Sequence, residues 1–201
     1  MTNTCKRIFC VTGILLIAVT LGVGLLSLVY ALPTDRMKAH IFNSMSIFYT
    51  GEVYPQQVCG YKMSQLDNET DAVMILNAIH DNGGQNIISA ALENSRIDFS
   101  SEGSFCRELI AWVWEGKTPD SQGTYERYWH GYLVILKPLL LVMDYADIRI
   151  LNMITHILLM GILIMSMTEY RLKRCVVPFL LCYAILNPVA ICMSMQFSSV
   201  Y

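Results

Sequence analysis

Residues 150–167 read ILNMITHILLMGILIMSM, a stretch of eighteen residues without an acidic side chain, a lysine or an arginine. A helix needs about 20 apolar residues to cross a hydrocarbon core of about 30 Å. Residues 8–32 and 176–195 have the same character. The three stretches predict an all-α integral membrane protein of the cell membrane, with multi-pass topology and transmembrane helices at residues 8–32, 148–167 and 175–195.

The basic residues beside these stretches indicate the orientation. Lys6 and Arg7 precede the first stretch, and Arg171, Lys173 and Arg174 separate the second from the third. Cytoplasmic segments next to membrane helices carry an excess of lysine and arginine. We therefore expect a cytoplasmic N-terminus at residues 1–7, a cytoplasmic loop at 168–174, and extracytoplasmic segments at 33–131 and 196–201.

The first stretch also has the features of a signal peptide, with a small-residue site at Val29, Tyr30 and Ala31. The apolar region of a signal peptide is usually 7–15 residues long. Since this stretch is longer, the sequence favours a retained membrane helix. Either interpretation places the chain from Pro33 onward outside the cytoplasm.

Charge is concentrated between the first two stretches. The chain has 201 residues, of which 54% are hydrophobic, and a net charge of -2, whereas residues 33–130 hold 13 acidic and 7 basic side chains. Nucleic-acid binding needs clustered lysine and arginine, so this acidic segment argues against it. The chain also lacks the sequence motifs of P-loop, serine-hydrolase and zinc-protease sites.

The outer segment is expected to be mainly helical, because its apolar residues recur at helical spacing and no alternating strand pattern stands out. Met37, Ile41, Met45 and Phe48 form one such set. A second helix is expected to begin at Asn68, as its cap, and to stop by Gly83 and Gly84, and a third to begin at Ser104.

Residues 132–147 are predicted to form an interfacial or re-entrant helix before the second transmembrane helix. Tyrosines and Trp129 precede an apolar run at residues 133–143 that is too short to cross a bilayer. Lys137 could extend its amine to the headgroup level. The alternative is one kinked helix over residues 133–167, which would place Asp144, Asp147 and Arg149 in hydrocarbon at a high cost.

Two places in the outer segment carry candidate chemistry. Asp35 follows the first membrane helix by three residues, where a carboxylate could act as a general base or help to hold a divalent cation with pyrophosphate. Arg127 could bind phosphate, Trp129 could stack on a sugar, and His130 could move a proton. The structural alternatives are a helix cap for Asp35 and an aromatic belt for the second group.

Several other polar residues have two interpretations. Asp67 and Asp71 could share a helix face as a cation site or serve in helix capping. Cys59 and Cys106 could pair or stay free. His156 and Asn187, both within apolar stretches, are expected to face protein rather than lipid.

The layout resembles the opening of GT-C type membrane glycosyltransferases. One membrane helix is followed by an acidic residue, a large helical outer segment and an interfacial helix. Residues 125–132, YERYWHGY, with 136–140 and 147–152, are similar to segments of uncharacterised polytopic membrane proteins of Gram-positive bacteria, and Leu66–Asp71 fits the same pattern. Such enzymes have more membrane helices than the three expected here.

The resemblance implies the N-terminal portion of an enzyme that uses a lipid-linked sugar donor, with Asp35 and His130 as catalytic residues and Arg127 and Trp129 as substrate-binding residues. A divalent cation is the cofactor that it suggests, while the metal ligands stay open. The alternative is a non-catalytic membrane protein whose outer helical segment binds a partner or supports a complex. With three helices, we expect either a truncated reading frame or a subunit that requires other membrane subunits.

Overall fold

The structure is a computed structural model that describes residues 3–51, 53–81, 83–99, 102–124 and 130–196. It is mostly helical, which confirms the predicted fold class at that level. The helices are α1 (Asn3–Tyr30), α2 (Asp35–Asn43), α3 (Ser46–Tyr49), α4 (Asn68–Ile79), α5 (Ile87–Glu93), α6 (Phe105–Leu109), α7 (Leu133–Val142), α8 (Tyr145–Glu169), α9 (Lys173–Ile185) and α10 (Pro188–Met193). The strands are β1 (Ser95–Asp98) and β2 (Ser121–Thr124).

Two of these helices are long and apolar enough to cross a membrane. They are Cys5–Tyr30 within α1 and the whole of α8, Tyr145–Glu169. At about 1.5 Å per residue, the 25 residues of α8 extend about 37 Å. None of the apolar window of either helix is buried against the rest of the chain, so both present apolar side chains to their surroundings.

The third apolar stretch is divided between two helices. α9 ends at Ile185, and Asn187 adopts a left-handed backbone with φ of 50° before Pro188 begins α10. Proline lacks the N–H needed inside a helix but is well suited to its first turn. The predicted span at residues 175–195 is therefore formed by two helices with a break at Leu186 and Asn187, and a third transmembrane helix stays a prediction.

The helices that lie between α1 and α8 in the chain share one hydrophobic core. The predicted set Met37, Ile41, Met45 and Phe48 is buried, although it is divided between α2, the turn after it and α3. α4 lies at the centre of this core, and all its residues except Glu69 and Thr70 are buried. A helix that is buried on all sides carries apolar residues around most of its circumference, as α4 does.

Helix ends in this domain are capped by side chains. α4 has Asp67 as its cap, one residue before the predicted Asn68, and the Asp67 carboxylate accepts a hydrogen bond from the Thr70 N–H at 2.9 Å. Ser104 caps α6 as predicted, by accepting from the Arg107 N–H. Glu69 of α4 accepts from the N–H groups of Phe105 and Cys106, which ties the start of α6 to α4.

β1 and β2 form an antiparallel pair that the sequence pattern does not reveal. Ser95 is opposite Thr124 and Asp98 is opposite Ser121. Each strand has only four residues, and β2 reads SQGT without an apolar side chain. A pattern of alternating apolar residues cannot appear in so short and polar a segment.

α7 is a separate helix that packs on the core shared by α2 and α4. The backbone is extended at Met143 and Asp144, and this break separates α7 from α8. Leu133, Leu136, Lys137 and Leu140 form the buried face of α7, whereas Ile135 and Val142 are exposed. The break agrees with the preferred interpretation of residues 133–167 over one kinked helix. The bilayer position of α7 stays a prediction.

The Lys137 amine does not lie where the sequence suggested, at the level of the lipid headgroups. The Lys137 side chain is fully buried, and its amine donates to the Ala78 carbonyl oxygen at 2.8 Å and lies over the Tyr30 ring. Ala78 belongs to the last turn of α4, where carbonyl oxygens lack helical partners and attract a cation. Burial lowers the pKa of Lys137 to about 8. The amine therefore points into the domain instead of toward lipid headgroups.

Candidate functional site

Asp71 of α4 is a fully buried acidic residue. Its carboxylate accepts hydrogen bonds from the Tyr145 hydroxyl, from the Ser194 hydroxyl at 3.3 Å, and from the N–H groups of Met195 at 3.1 Å and Gln196 at 3.0 Å. Arg149 forms an ion pair with it at 3.2 Å. We call Asp71, Tyr145, Arg149 and Ser194 the Asp71 network.

The Asp71 network joins three parts of the chain at the N-terminal end of α8. Complete burial raises the pKa of the Asp71 carboxyl, while Arg149, Tyr145 and the two backbone N–H groups act in the opposite direction. An ion pair isolated from water must be surrounded by hydrogen bonds to offset its desolvation. The network thus fixes α4 and the segment after α10 to α8, a structural role for Asp71 that the capping interpretation did not include.

Asn68 extends this network. Its side-chain oxygen accepts a hydrogen bond from Arg149 at 2.9 Å, and only 1% of the residue is exposed. Asn68, Glu69 and Thr70 match the sequence pattern of an N-glycosylation acceptor, but a glycan acceptor must be accessible on the surface. The burial of Asn68 therefore argues against glycosylation at this position.

Asp35 lies in a cleft between the start of α2 and the loop before α5. It is exposed in the first turn of α2, and Thr34 at the cap position makes no side-chain capping bond. The cleft has a volume of about 400 Å³, and Asp81 also lines it. Two carboxylates thus face the same space, of which the sequence indicated only Asp35.

An apolar groove of about 640 Å³ leads into this cleft along α1 and α5. Its walls include Gly24 and Leu28 of α1 and Ile88 of α5. Ala31, Gln85 and Ile87 line both spaces, so the groove and the cleft are continuous. We call the combined space the α1/α5 cleft.

His130 does not line the α1/α5 cleft. Its Nε2 lies 3.0 Å from the Ala91 carbonyl oxygen of α5, which can only accept, so Nε2 is the donor. Ile87, in the cleft wall, is one helical turn away on the same helix. The structure thus does not bring Asp35 and His130 together as a pair around one cavity, and the other two predicted site residues, Arg127 and Trp129, lie outside the described residues.

The described residues contain no group of three or more histidine, cysteine or acidic side chains arranged for a metal ion. Cys59 is exposed and Cys106 is buried, and both are free thiols. Asp67, which the sequence offered as half of a cation site, instead binds Thr70 through both its carboxylate oxygens. Capping is the interpretation of Asp67 that the structure supports.

His156 and Asn187, two polar residues of the apolar stretches, contact other parts of the protein, as predicted. The His156 ring stacks on Tyr183 of α9 with ring centres 5.5 Å apart. Asn187 donates to the Met63 carbonyl oxygen at 3.1 Å, and Asn152 of α8 donates to the Cys192 carbonyl oxygen at 2.8 Å. These bonds hold α9 and α10 against α8 and against the loop before α4.

No protein-family model, curated protein or solved structure matches this chain. The α1/α5 cleft and the Asp71 network are therefore the features of the molecule from which a function can be inferred.

Proposed function

We propose that this protein is a multi-pass membrane protein of the cell membrane that binds a lipid-linked sugar at the outer face of the bilayer, in the α1/α5 cleft. The continuity of the apolar groove with the two-carboxylate cleft carries this proposal. A prenyl or acyl chain would lie along Gly24, Leu28 and Ile88. The sugar would occupy the space beside Asp35 and Asp81.

The charges in the cleft favour a head group rich in hydroxyls. Carboxylates are acceptors only, so Asp35 and Asp81 suit ligands with several O–H donors. A phosphate beside two carboxylates would be repelled unless a cation lay between them. The proposed ligand therefore presents its sugar to the carboxylates and keeps its phosphate at the rim or bridged by a divalent cation.

Filling the groove tests this proposal without disturbing the fold. A Cβ atom added at Gly24 meets no other atom within 4 Å, so the side chain of Gly24→Leu starts in open space and extends into the groove that Gly24 lines. Gly13→Leu is the matched control, since Gly13 lies on the same helix with the same open space and does not line the groove. Both variants are examined as the full chain in lipid nanodiscs.

The measurement is photocrosslinking with a diazirine-labelled polyprenyl-phosphate sugar. We expect Gly24→Leu and the double variant Asp35→Asn/Asp81→Asn each to reduce labelling about tenfold, a loss of about 1.4 kcal/mol of binding free energy. Gly13→Leu should label like the wild-type chain. Equal labelling of all four proteins would contradict the proposal.

A second candidate function is transfer of the bound sugar to an acceptor hydroxyl: Asp35 takes the hydroxyl proton as general base, the hydroxyl oxygen bonds to the anomeric carbon, and the bond from that carbon to the lipid phosphate breaks, so that the lipid phosphate leaves. The observation in its favour is that the Asp35 carboxylate is exposed in the cleft and makes no hydrogen bond or ion pair within the described residues. Asp35→Asn separates the two functions. A transferase would lose turnover but still bind the donor, whereas a binding protein would show no turnover with either side chain.

A further inference from the structure

A second cavity lies between the loop before α4 and the turn that joins α9 to α10. Its volume is about 410 Å³, within the range of small-ligand sites. Lys62 and Asp67 line it on the loop side, and Leu186, Ala190 and Ile191 line it on the other. We call this space the Lys62 cavity.

The contacts of α10 place the Lys62 cavity beside the outer turns of α8. Asn152, which binds the Cys192 carbonyl oxygen of α10, comes seven residues after the start of α8, or about 10 Å along the helix. Over the same turns the exposed side chains of α8 change from Asp147 to Ile150 and Leu151. If α8 spans the bilayer as proposed above, the cavity lies at the boundary between headgroups and acyl chains.

The two walls are fixed to each other, so the cavity does not depend on a loose loop. Asn187 donates to the Met63 carbonyl oxygen at 3.1 Å. The Tyr61 hydroxyl donates to the Ile185 carbonyl oxygen at 3.5 Å. Ser194 donates to the Asp67 carbonyl oxygen at 3.5 Å, which links the same wall to the Asp71 network.

Charges of both signs line this space. Lys62 is exposed, and its amine makes no ion pair with any described residue. The Asp67 carboxylate accepts two hydrogen bonds from Thr70, but two carboxylate oxygens can accept more than two. Leu186 and Met63, about half exposed, supply apolar surface at the same place.

We propose that the Lys62 cavity binds the head group of a phospholipid that carries a primary ammonium. The phosphate pairs with Lys62, the ammonium donates to Asp67, and the first carbons of the acyl chains contact Leu186 and Ile191. This inference rests on the membrane position proposed above but on a site separate from the α1/α5 cleft. Basic pockets beside membrane helices bind lipid phosphates, and the carboxylate adds selection for the ammonium.

The test uses the full chain in nanodiscs with equal parts of phosphatidylethanolamine, phosphatidylglycerol and phosphatidylcholine, released for native mass spectrometry. We expect the wild-type chain to retain phosphatidylethanolamine above its share. Lys62→Gln should reduce retention about tenfold, the loss of one charge-assisted hydrogen bond. Lys117→Gln is the matched control, because Lys117 is an exposed lysine outside this cavity.

Asp67→Asn tests the ammonium contact while preserving the fold, since asparagine caps helices as well as aspartate does. Retention should persist, but phosphatidylethanolamine should lose its advantage over phosphatidylglycerol. Equal retention of phosphatidylethanolamine by the Lys62→Gln and Lys117→Gln variants would overturn the proposal. Equal retention of all three phospholipids by the wild-type chain would also overturn it. Because Gly24→Leu does not touch this cavity, its retention of phospholipid stays normal whether or not the α1/α5 cleft binds a sugar.

Discussion

Glu108 is a buried carboxyl group outside both candidate cavities. Only 6% of the residue is exposed, and its Oε2 makes no hydrogen bond within the described residues. Burial raises its pKa from 4.5 to about 7, while Arg96 opposes the rise and Asp98, Glu69 and Glu102 add to it. The folded chain therefore favours the protonated acid below about pH 7.

This pKa makes the stability of the fold depend on pH. Between pH 4.5 and 7 the folded state binds more protons at Glu108 than the unfolded state does, so stability falls as pH rises through this range. Glu108→Gln imitates the protonated acid and should remove this decrease in stability with rising pH. We expect the variant to match the wild-type chain near pH 4.5 and to exceed it by about 1–3 kcal/mol at pH 8.

Thermal unfolding at several pH values measures this difference. Glu93→Gln is the control, because Glu93 is an exposed glutamate of α5. That variant should follow the wild-type pH profile throughout. A Glu108→Gln profile parallel to the wild type would show that Glu108 is ionised in the folded chain.

Residue types alone do not indicate these buried partners. The sequence suggested Lys137 for the headgroup level, yet its acceptor, the Ala78 carbonyl oxygen, is 59 residues away in the chain. Arg149 was interpreted only as a residue too costly for hydrocarbon, and Asp71 as part of a cation site or of a helix cap. Their ion pair joins positions 78 residues apart, and no local spacing brings such residues together.

At the scale of elements, α4 is attached to α8 mainly through the Asp71 network. Arg149→Met leaves the Asp71 carboxylate buried without its cation, which should cost about 3–5 kcal/mol of unfolding free energy. The double variant Asp71→Asn/Arg149→Met removes both charges. It should recover a large part of that loss, because no isolated buried charge remains.

Chemical or thermal unfolding of the single and double variants measures this coupling. The exposed pair of Lys117 and Glu102 provides the comparison, since surface ion pairs contribute about 0–1 kcal/mol. If the losses of unfolding free energy in Asp71→Asn and Arg149→Met add up to the loss in the double variant, Asp71 and Arg149 do not stabilise each other.

Element starts were easier to predict than element continuity. Ser104 was predicted to open a helix and caps α6, and the start of α4 was predicted within one residue, because capping depends on adjacent residues. The break at Asn187 lies within a span that the sequence placed in one helix over residues 175–195. The Asn187 side chain binds the Met63 carbonyl oxygen, a partner 124 residues away that local spacing does not indicate.

On the scale of the whole molecule, the C-terminal end of α1 and the N-terminal end of α8 are attached to the same domain. Tyr30, at the end of α1, donates through its hydroxyl to Asn94 at 2.8 Å. At the start of α8, the Asp144 carboxylate accepts from Asn43 at 3.1 Å, and the Ala146 N–H donates to the Ser44 hydroxyl. If both helices cross a bilayer, everything between them lies on one side.

The α1/α5 cleft shows what the sequence provided and what it did not. The position of Asp35 three residues after an apolar helix was visible in the sequence, and so was its nearness to the membrane end. The contribution of Asp81 was not visible in the sequence, because Asp81 comes to line the same cleft as Asp35 only through the fold of the loop before α5. Similarly, Lys62 acquires its cavity only when α10 folds back against α8.

The orientation is tested by single-cysteine labelling in a version of the chain without its seven native cysteines. We expect cysteines at positions 62 and 117, both on the domain between α1 and α8, to react with a membrane-impermeant reagent from outside intact cells. A cysteine at position 172, between α8 and α9, should react only after permeabilisation, because Arg171, Lys173 and Arg174 favour the cytoplasmic side. Outside labelling of position 172 would reverse the orientation, and with it the outer location proposed for both cavities.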